Sequence, residues 1–486
     1  MEPVVATARS ARRRPLIPAA AFSLLLALGC GTYYLWLRSP QSAASAAKTT
    51  IAVLPFKSLS GDPDQAYFAE GFTDELIAQL GRNNPTHLGV IARTSTLSYR
   101  ETTKSAAEIG RELVVQHLVE GTVRRSGNRV RINAQLIRVS DQSHVWAEIY
   151  EGEIRDILQL QREVGDAITR HILSALGTAT AGSTPLRNVD PAVYDLYLRG
   201  RHAWNTRNGA QIVKATDLFK QAVQRDPTFA PAWAGIADAL SVHARAEALE
   251  AAEKAISLDD RLAEAHCAKA EILTHMLRWA WAEQEYRRSI ALDPHYVPSR
   301  YFYSEFLVAR GRRDEAIEQA REAMAIDPMS AIAAHVSGVT RYYSGDNDNA
   351  LRDLKRALEL DPQHTWSHWR IGLVLERQHS YDAALHELML GGGRLRAAHA
   401  YALAGRPADA RRIIAEALAS PDVEAQAYQL AGAYAGLGDL DEAMTWLERA
   451  LFRQLHDVIF MAVDPRLERL HDLPKYRELL RQGGWE

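Results

Sequence analysis

The sequence predicts an α+β chain with two folded parts. A small α/β sandwich over residues 49–180 precedes an all-α solenoid of helical hairpins over residues 189–455, and one apolar helix stands ahead of both. Three observations predict this. Asp-Pro pairs or a close variant recur at Asp226-Pro227, Asp259-Asp260, Asp293-Pro294, Asp327-Pro328 and Asp361-Pro362, in steps of 33, 34, 34 and 34 residues. A fixed period of about 34 residues is the length of one helix-turn-helix unit, which buries its apolar face only by stacking on neighbours. Before residue 180 the pattern differs, with short β-rich runs alternating with runs of helical period. Finally, Leu16 to Leu37 is 22 residues without a charge.

Bulk properties leave room for both parts. A chain of 486 residues is too long for one core, and its 47% hydrophobic and 24% charged content is ordinary for folded protein. A net charge of −3 argues neither for nucleic acid nor for an anionic surface, and no nucleic-acid partner is expected. The two cysteines, Cys30 and Cys267, lie in unrelated segments, which excludes a disulfide framework and a thiolate metal site.

At about 1.5 Å per residue, the stretch 16–37 reaches about 33 Å, enough to cross a hydrocarbon core of about 30 Å. Arg9, Arg12, Arg13 and Arg14 precede it, and only Arg38 follows closely. The positive-inside rule then puts residues 1–14 in the cytoplasm and the bulk of the chain beyond the inner membrane, in the periplasm. Tyr33, Tyr34 and Trp36 sit where an interfacial aromatic belt belongs. Three rivals exist: signal-peptide cleavage near Ala43–Ala47, lipoprotein cleavage at Cys30, and a twin-arginine signal at Arg13-Arg14. The length of the apolar run favours an uncleaved anchor over residues 15–38, with a polar linker at 39–48.

From residue 49 the elements read in the order βαβα-βββ-α. Thr50–Phe56 is a short strand, and Tyr67, Phe68, Phe72, Leu76, Ile77 and Leu80 fall at helical spacing, with Asp64 as cap and Gly81 as stop. His87–Arg93 reads as a strand and Ser105–Leu113 as a helix. Strands follow at 116–125, 129–139 and 143–150, joined at Ser126-Gly127-Asn128 and Asp141-Gln142. Glu153–Leu176 is a long amphipathic helix. The segments Ile51-Ala52-Val53-Leu54-Pro55-Phe56, Phe68-Ala69-Glu70-Gly71-Phe72-Thr73-Asp74-Glu75-Leu76, Arg93-Thr94-Ser95, Glu120-Gly121-Thr122-Val123-Arg124 and Ala134-Gln135-Leu136 resemble the TolB amino-terminal-like domain. The resemblance implies a domain set between a membrane helix and helical repeats, often in bacterial sensors with a cytoplasmic winged-helix, cyclase or kinase part. Here that position holds only a short stub, so no such activity carries over.

Catalytic candidates are few. Glu70, Asp74 and Glu75 place carboxylates close together on one helix, but a solvated face or a local polar network explains them as well. Glu70, Arg93 and Arg124 suit a buried network of the fold. His117 and His144 fall singly on strands. No nucleophile–base pair, HExxH, Walker or Rossmann loop occurs. The expectation is a non-enzyme with no cofactor and no metal.

The repeats resemble the tetratricopeptide (TPR) family. Second-helix triplets recur at Ala248, Ala252, Ala255; Ala282, Tyr286, Ser289; Ala316, Ala320, Ala323; and Ala350, Leu354, Ala357. Gly311, Gly345, Gly405 and Gly438 mark the turns between paired helices, and Trp233 holds the family's early aromatic position. Gly391-Gly392-Gly393 shortens one unit, and lacks the Lys-Ser or Lys-Thr of a phosphate loop. About eight units result. Such an array offers a groove to a polypeptide, and the expected lining is Glu271, Tyr301, Glu305, His335, Tyr342, Trp366 and Trp369. The bland alternative is that Trp366 or Trp369 packs between repeats, as Cys267 is expected to. Residues 456–486, with Asp464-Pro465-Arg466-Leu467 and Leu473-Pro474-Lys475-Tyr476, resemble the closing segment of such proteins and cap the last repeat. No chemistry is read from Arg466 or His471. The expected function is a membrane-anchored, periplasmic protein-binding scaffold or sensor. The alternatives are a small-molecule receptor working through residues 49–180 and a signalling protein associated with adenylate cyclase.

Overall fold

The Asp-Pro beat marks where each second helix stops. Asp259, Asp293, Asp327 and Asp361 all sit at helix C-caps. In four of the five turns the aspartate carboxylate accepts the amide two residues on: Thr228 at 3.0 Å, Arg261 at 3.1 Å, His295 at 2.9 Å and Gln363 at 3.0 Å. This side-chain turn closes the chain before the next first helix. The computed structural model describes residues 48–59, 66–83, 87–176, 189–205, 209–241 and 244–485. Residues 16–37, Asp64 and Cys30 lie outside these. Among the described residues no helix is long and apolar enough to cross a membrane.

The first part is a mixed sheet with helices on both faces. Strands β1 (Thr49–Val53), β2 (Lys57–Ser58), β3 (Leu88–Val90), β4 (His117–Ser126), β5 (Arg129–Arg138) and β6 (His144–Glu153) lie in the order β3-β1-β4-β5-β6, with β2 also beside β4. Strand β1 runs parallel to β3 and β4, and β4–β5–β6 is an antiparallel meander. Helices α1 (Ala66–Asn83) and α4 (Ile157–Leu176) cover one face through Phe72, Leu76, Val164 and Ile168, against Ile51, Val53, Ile132 and Leu136. Helix α3 (Ala106–Glu112), started by a Ser105–Glu108 capping box, covers the other face at Ala52, Leu54, Leu118 and Ile137. Burial on both faces explains why β1 reads as an unbroken apolar run. The order agrees with the sequence reading, with four differences: β2 is added, helix α1 runs through Gly81 to Asn83, Arg93–Leu97 forms a short helix, α2, rather than ending a strand, and β6 continues to Glu153 so that α4 starts at Ile157.

Eight helix pairs follow among the described residues. They are α5/α6 (Pro191–Asn205, Gly209–Arg225), α7/α8 (Ala230–Leu240, Arg245–Leu258), α9/α10 (Ala263–His275, Trp279–Leu292) and α11/α12 (Val297–Ala309, Arg313–Ile326). Then come α13/α14 (Ala331–Ser344, Asn347–Leu360), α15/α16 (Thr365–Arg377, Tyr381–Leu390), α17/α18 (Arg394–Leu403, Pro407–Leu418) and α19/α20 (Ala427–Leu437, Leu440–Phe452). The small-residue triplets of the second helices are buried, where helices approach most closely. Turn glycines Gly311, Gly345, Gly405 and Gly438 adopt φ between 73° and 87°. Leu277 and His379 hold the same turn position, 34 residues from Gly311 and Gly345, and adopt φ of 56° and 60° despite their side chains. Gly391 allows a close approach, because a Cβ there would lie 2.5 Å from the Trp369 amide nitrogen.

The two parts share a core and an edge. Helix α1 packs against α5, and the sheet's apolar cluster continues into Tyr194, Leu198 and Phe219. Further along, the sheet domain meets the turns of successive repeats. Arg82 pairs with Glu264 at 3.7 Å, and the Ala92 amide donates to the Ile326 carbonyl at 3.0 Å. The Ser95 hydroxyl donates to Asp327 at 2.5 Å.

Candidate protein-binding groove

The first helices of the pairs stack on one another and line a common face. The 34-residue register decides which side chains reach it. Glu271 and Glu305 occupy the same position of adjacent repeats, on α9 and α11, and both carboxylates face His456 of the C-terminal segment. Burial raises the Glu305 carboxyl above its usual range, with His456 and then Arg370 pulling it back. Both side chains are partly buried.

A second register corrects three of the expected groove residues. Tyr301, His335 and Trp369 are spaced 34 apart and follow Cys267 by 34. All four positions are buried, Cys267 at 2% exposure and Trp369 at 9%. This register faces a neighbouring helix, so its residues pack rather than present. Tyr301 packs with Val297, Ala323 and Val336. His335 Nδ1 pairs with the Ser367 hydroxyl at 3.0 Å, and burial holds its pKa well below the usual histidine value. Trp369 lies between two guanidinium groups, Arg370 at 4.0 Å and Arg396 at 4.1 Å from the ring centre. Tyr342 is core for the same reason: it shares a register with Thr274, Val308 and Glu376, all buried. Only Trp366 is exposed, at 62%, beside His335 and His364. Its register includes Glu264, which meets the sheet domain, so Trp366 lies on the turn edge rather than the inner face.

The inner face is occupied by the chain's own C-terminal segment. After α20, Gln454 turns with φ of 50° and its carbonyl accepts from Arg245 at 2.9 Å. The turn His456–Phe460 then lies against α9 and α11. The His456 ring stands 4.4 Å from that of His275, and Asp457 accepts from Arg396 at 3.3 Å and Gln429 at 3.0 Å. Burial alone would raise the Asp457 carboxyl; the His456 imidazole 3.7 Å away and the Arg396 and Arg370 charges hold it far below its usual range. Phe460 stacks on Tyr343 with ring centres 4.3 Å apart. Farther on, Arg466 and Asp464 form a fully buried pair at 2.6 Å, with the Tyr428 hydroxyl donating to Asp464 at 3.0 Å. Helix α21 (Pro474–Gln482) covers the last repeat through Tyr476 and Leu479. The chain then returns to the third and fourth pairs. Trp279 donates to the Gly483 carbonyl at 2.6 Å, Arg310 to that of Gly484 at 2.5 Å, and Trp485 packs 5.3 Å from Trp279. The segment therefore caps the last repeat and also fills the groove. The apolar run Val458–Val463 carried that signal, since it is too hydrophobic for a solvated connector. Arg370, Arg396, Tyr343 and His275, missed in the sequence, are the groove's actual lining.

The carboxylates of the sheet domain are consumed in ion pairs. Glu70 meets Arg93 at 3.3 Å, Arg100 at 2.7 Å and His202 at 3.0 Å. Asp74 pairs with Arg93 and accepts from Asn205 at 3.3 Å, and Glu75 accepts from Tyr197 at 3.1 Å. This network joins α1 to α2 and α5. Arg124, grouped with it in the sequence reading, is instead exposed on β4. Among the described residues no group of three or more His, Cys, Asp or Glu side chains could hold a metal ion.

Comparison with known proteins finds likenesses in both parts. A family model described as "HilA/YgeH-like transcriptional regulator, second domain" matches residues 47–167. A tetratricopeptide-repeat model matches residues 334–364 and 427–451. "Putative adenylate cyclase 3" of Rhizobium meliloti (strain 1021) is 36% identical over 253 residues, covering 49% of this chain and 42% of that protein. The chain thus spans about two-fifths of this relative's length. A thermophilic TPR protein of Thermus thermophilus is 18% identical over 38% of this chain and 99% of its own, with a TM-score of 0.35. The TPR protein YrrB, described with an unusual peptide-binding site, is 21% identical over 41% of this chain and 95% of its own, with a TM-score of 0.27. The array is a TPR-like solenoid on the strength of its family match and its helix pairing, behind a small sheet domain.

Proposed function

We propose that this chain is a protein-binding scaffold of a signalling system, held at the inner membrane with its folded parts in the periplasm. One observation carries the binding role: eight stacked helix pairs whose inner face holds a polypeptide segment through fixed arginines and an aromatic ring. Membrane attachment rests on the uncharged run 16–37 and the arginines before it. The TolB-like reading of residues 49–180 rests on the sequence segments quoted above, and the HilA/YgeH-like match is its rival. A role beside a nucleotide cyclase is the second reading, motivated by the 36% identity to a protein of that name. A small-molecule receptor at the junction with the repeats has less support, because the Glu70, Asp74 and Glu75 carboxylates there already meet protein partners.

The test is in-cell cross-linking from a photo-reactive residue at position 366, an exposed aromatic of the array, in the full chain. A discrete adduct, absent when the reactive residue sits at 342 in the core, is the expected result. No adduct from 366, from the equally exposed position 281 or from the half-exposed position 456 of the inner face would end the scaffold reading. Fractionation tests the anchor: the chain should sediment with membranes and be released when residues 1–38 are removed.

A further inference from the structure

The groove that such an array offers to a partner already holds a polypeptide, and its contacts are those a bound peptide would make. Asp457 meets two donors on different repeats, Arg396 of α17 and Gln429 of α19. Phe460, three residues on, lies flat on Tyr343 of α13, with the Arg370 guanidinium 5.8 Å from its ring. Spacing of three puts both side chains on one side of a 3₁₀ turn. The turn bridges the groove and the cap: Ile459 and Phe460 join the apolar cluster of the third to seventh pairs, whereas Val458 and Met461 join that of the last two with Leu467, Leu470, Tyr476 and Leu479, and the Tyr476 hydroxyl donates to the Met461 carbonyl at 2.6 Å. Space also remains beside the turn, because the His456 side chain is 52% exposed even though Glu271, Glu305 and His275 face it.

We propose that residues 454–463 are a resident intramolecular ligand of the groove, and that the scaffold's partner displaces them with a short segment of the same chemistry: an acidic side chain followed three residues later by an aromatic ring. The proposal rests on the protein-binding reading and names its partner class. A tethered ligand acts at an effective concentration in the millimolar range. It lowers the apparent affinity of any incoming peptide by the fraction of time the groove stands open. The intact chain therefore binds weakly and a loosened one binds tightly.

The test uses the full chain carrying Asp457→Ala and Phe460→Ala together, which loosens the turn and leaves every groove residue in place. The probe is a fluorescent synthetic peptide of residues 454–463, followed by anisotropy. Saturable binding at least tenfold tighter than to the unaltered chain is expected, lost when the peptide's own Asp and Phe are alanine and weakened by adding Arg396→Ala. A folded double variant that binds both peptides alike, or neither, overturns the proposal. Should that variant fail to fold, hydrogen exchange on the unaltered chain decides. Val458 and Met461 amides that exchange while α11 and α13 stay protected support a displaceable turn, and exchange only together with those helices makes it core. An adduct from position 366 with no peptide binding would leave the scaffold role standing and remove only this mechanism.

Discussion

The two segments that flank the repeats grip the same array differently once past the apolar core that the sheet domain shares with the first pairs. The sheet domain holds the turn edge through polar groups: Arg82 on Glu264, Ser95 on Asp327, and Glu70 and Asp74 on His202 and Asn205. The C-terminal segment holds the inner face through Val458, Ile459, Phe460 and Met461, all nearly or wholly buried, and its own Asp464–Arg466 pair, removed from water, accepts from Tyr428 of the last pair. Polar contacts at an edge fix geometry and add modest stability. Buried rings add stability directly. The comparison teaches that edge contacts fix where the sheet domain sits on successive repeats, while inner-face contacts carry more of the stability.

The largest expected effects lie inside. Arg466→Ala leaves the Asp464 carboxylate buried without its partner and should cost about 3–5 kcal/mol in urea unfolding. Phe460→Ala should fall in the same range of about 3–5 kcal/mol. A loss under about 1 kcal/mol for both would place the segment at the periphery and reverse the comparison. At the edge, Asp327→Ala strands the buried Ser95 hydroxyl and should cost about 1–3 kcal/mol. Proteolysis should then cut the sheet domain faster while the repeats stay resistant.

Acidity sharpens the contrast next. His275 and His335 are held neutral by burial, so they take up protons only on unfolding. Stability should fall as pH drops below about 6.5, on the order of 1 kcal/mol per pH unit for each such histidine. His456 has the opposite sign. The surrounding protein disfavours its cation although half the side chain is exposed, but Asp457 raises its pKa, so its contribution, reduced by that exposure, is full below about 6.5 and fades as pH rises. Two neutral histidines outweigh one, and unfolding midpoints at pH 5 and pH 7 check the sum; no decline toward pH 5 would contradict it. His379→Gly should stabilise by about 1 kcal/mol, because the exposed imidazole sits at a positive φ that suits glycine. The smallest effect is Arg82→Ala, about 0–1 kcal/mol and weaker still in high salt.

The repeat architecture was legible because the period is written in turn chemistry. Aspartate at each C-cap and glycine at each inner turn recur whatever the packing does. Which helix face points inward was less legible. The spacing that joins Cys267, Tyr301, His335 and Trp369 already placed them with a small buried residue, yet the aromatic side chains read as anchors. Arg370 and Arg396 went unnoticed because their meaning comes from Asp457, 87 and 61 residues away in the chain. No local pattern encodes a contact of that range. The short helix Arg93–Leu97 was hidden similarly: its Ser95 answers to Asp327 across 232 positions.

The carbonyl of Gln454 that Arg245 holds, and those of Gly483 and Gly484 that Trp279 and Arg310 hold, give the array a history during synthesis. A ribosome adds about 5–20 residues per second and releases the chain from its N-terminus. Every helix pair is complete before the segment that closes the groove exists. For on the order of a few seconds the nascent array presents an empty inner face, with its arginines and tyrosine uncovered. A partner made nearby in that interval meets no competitor, and the same partner arriving later must wait for an opening.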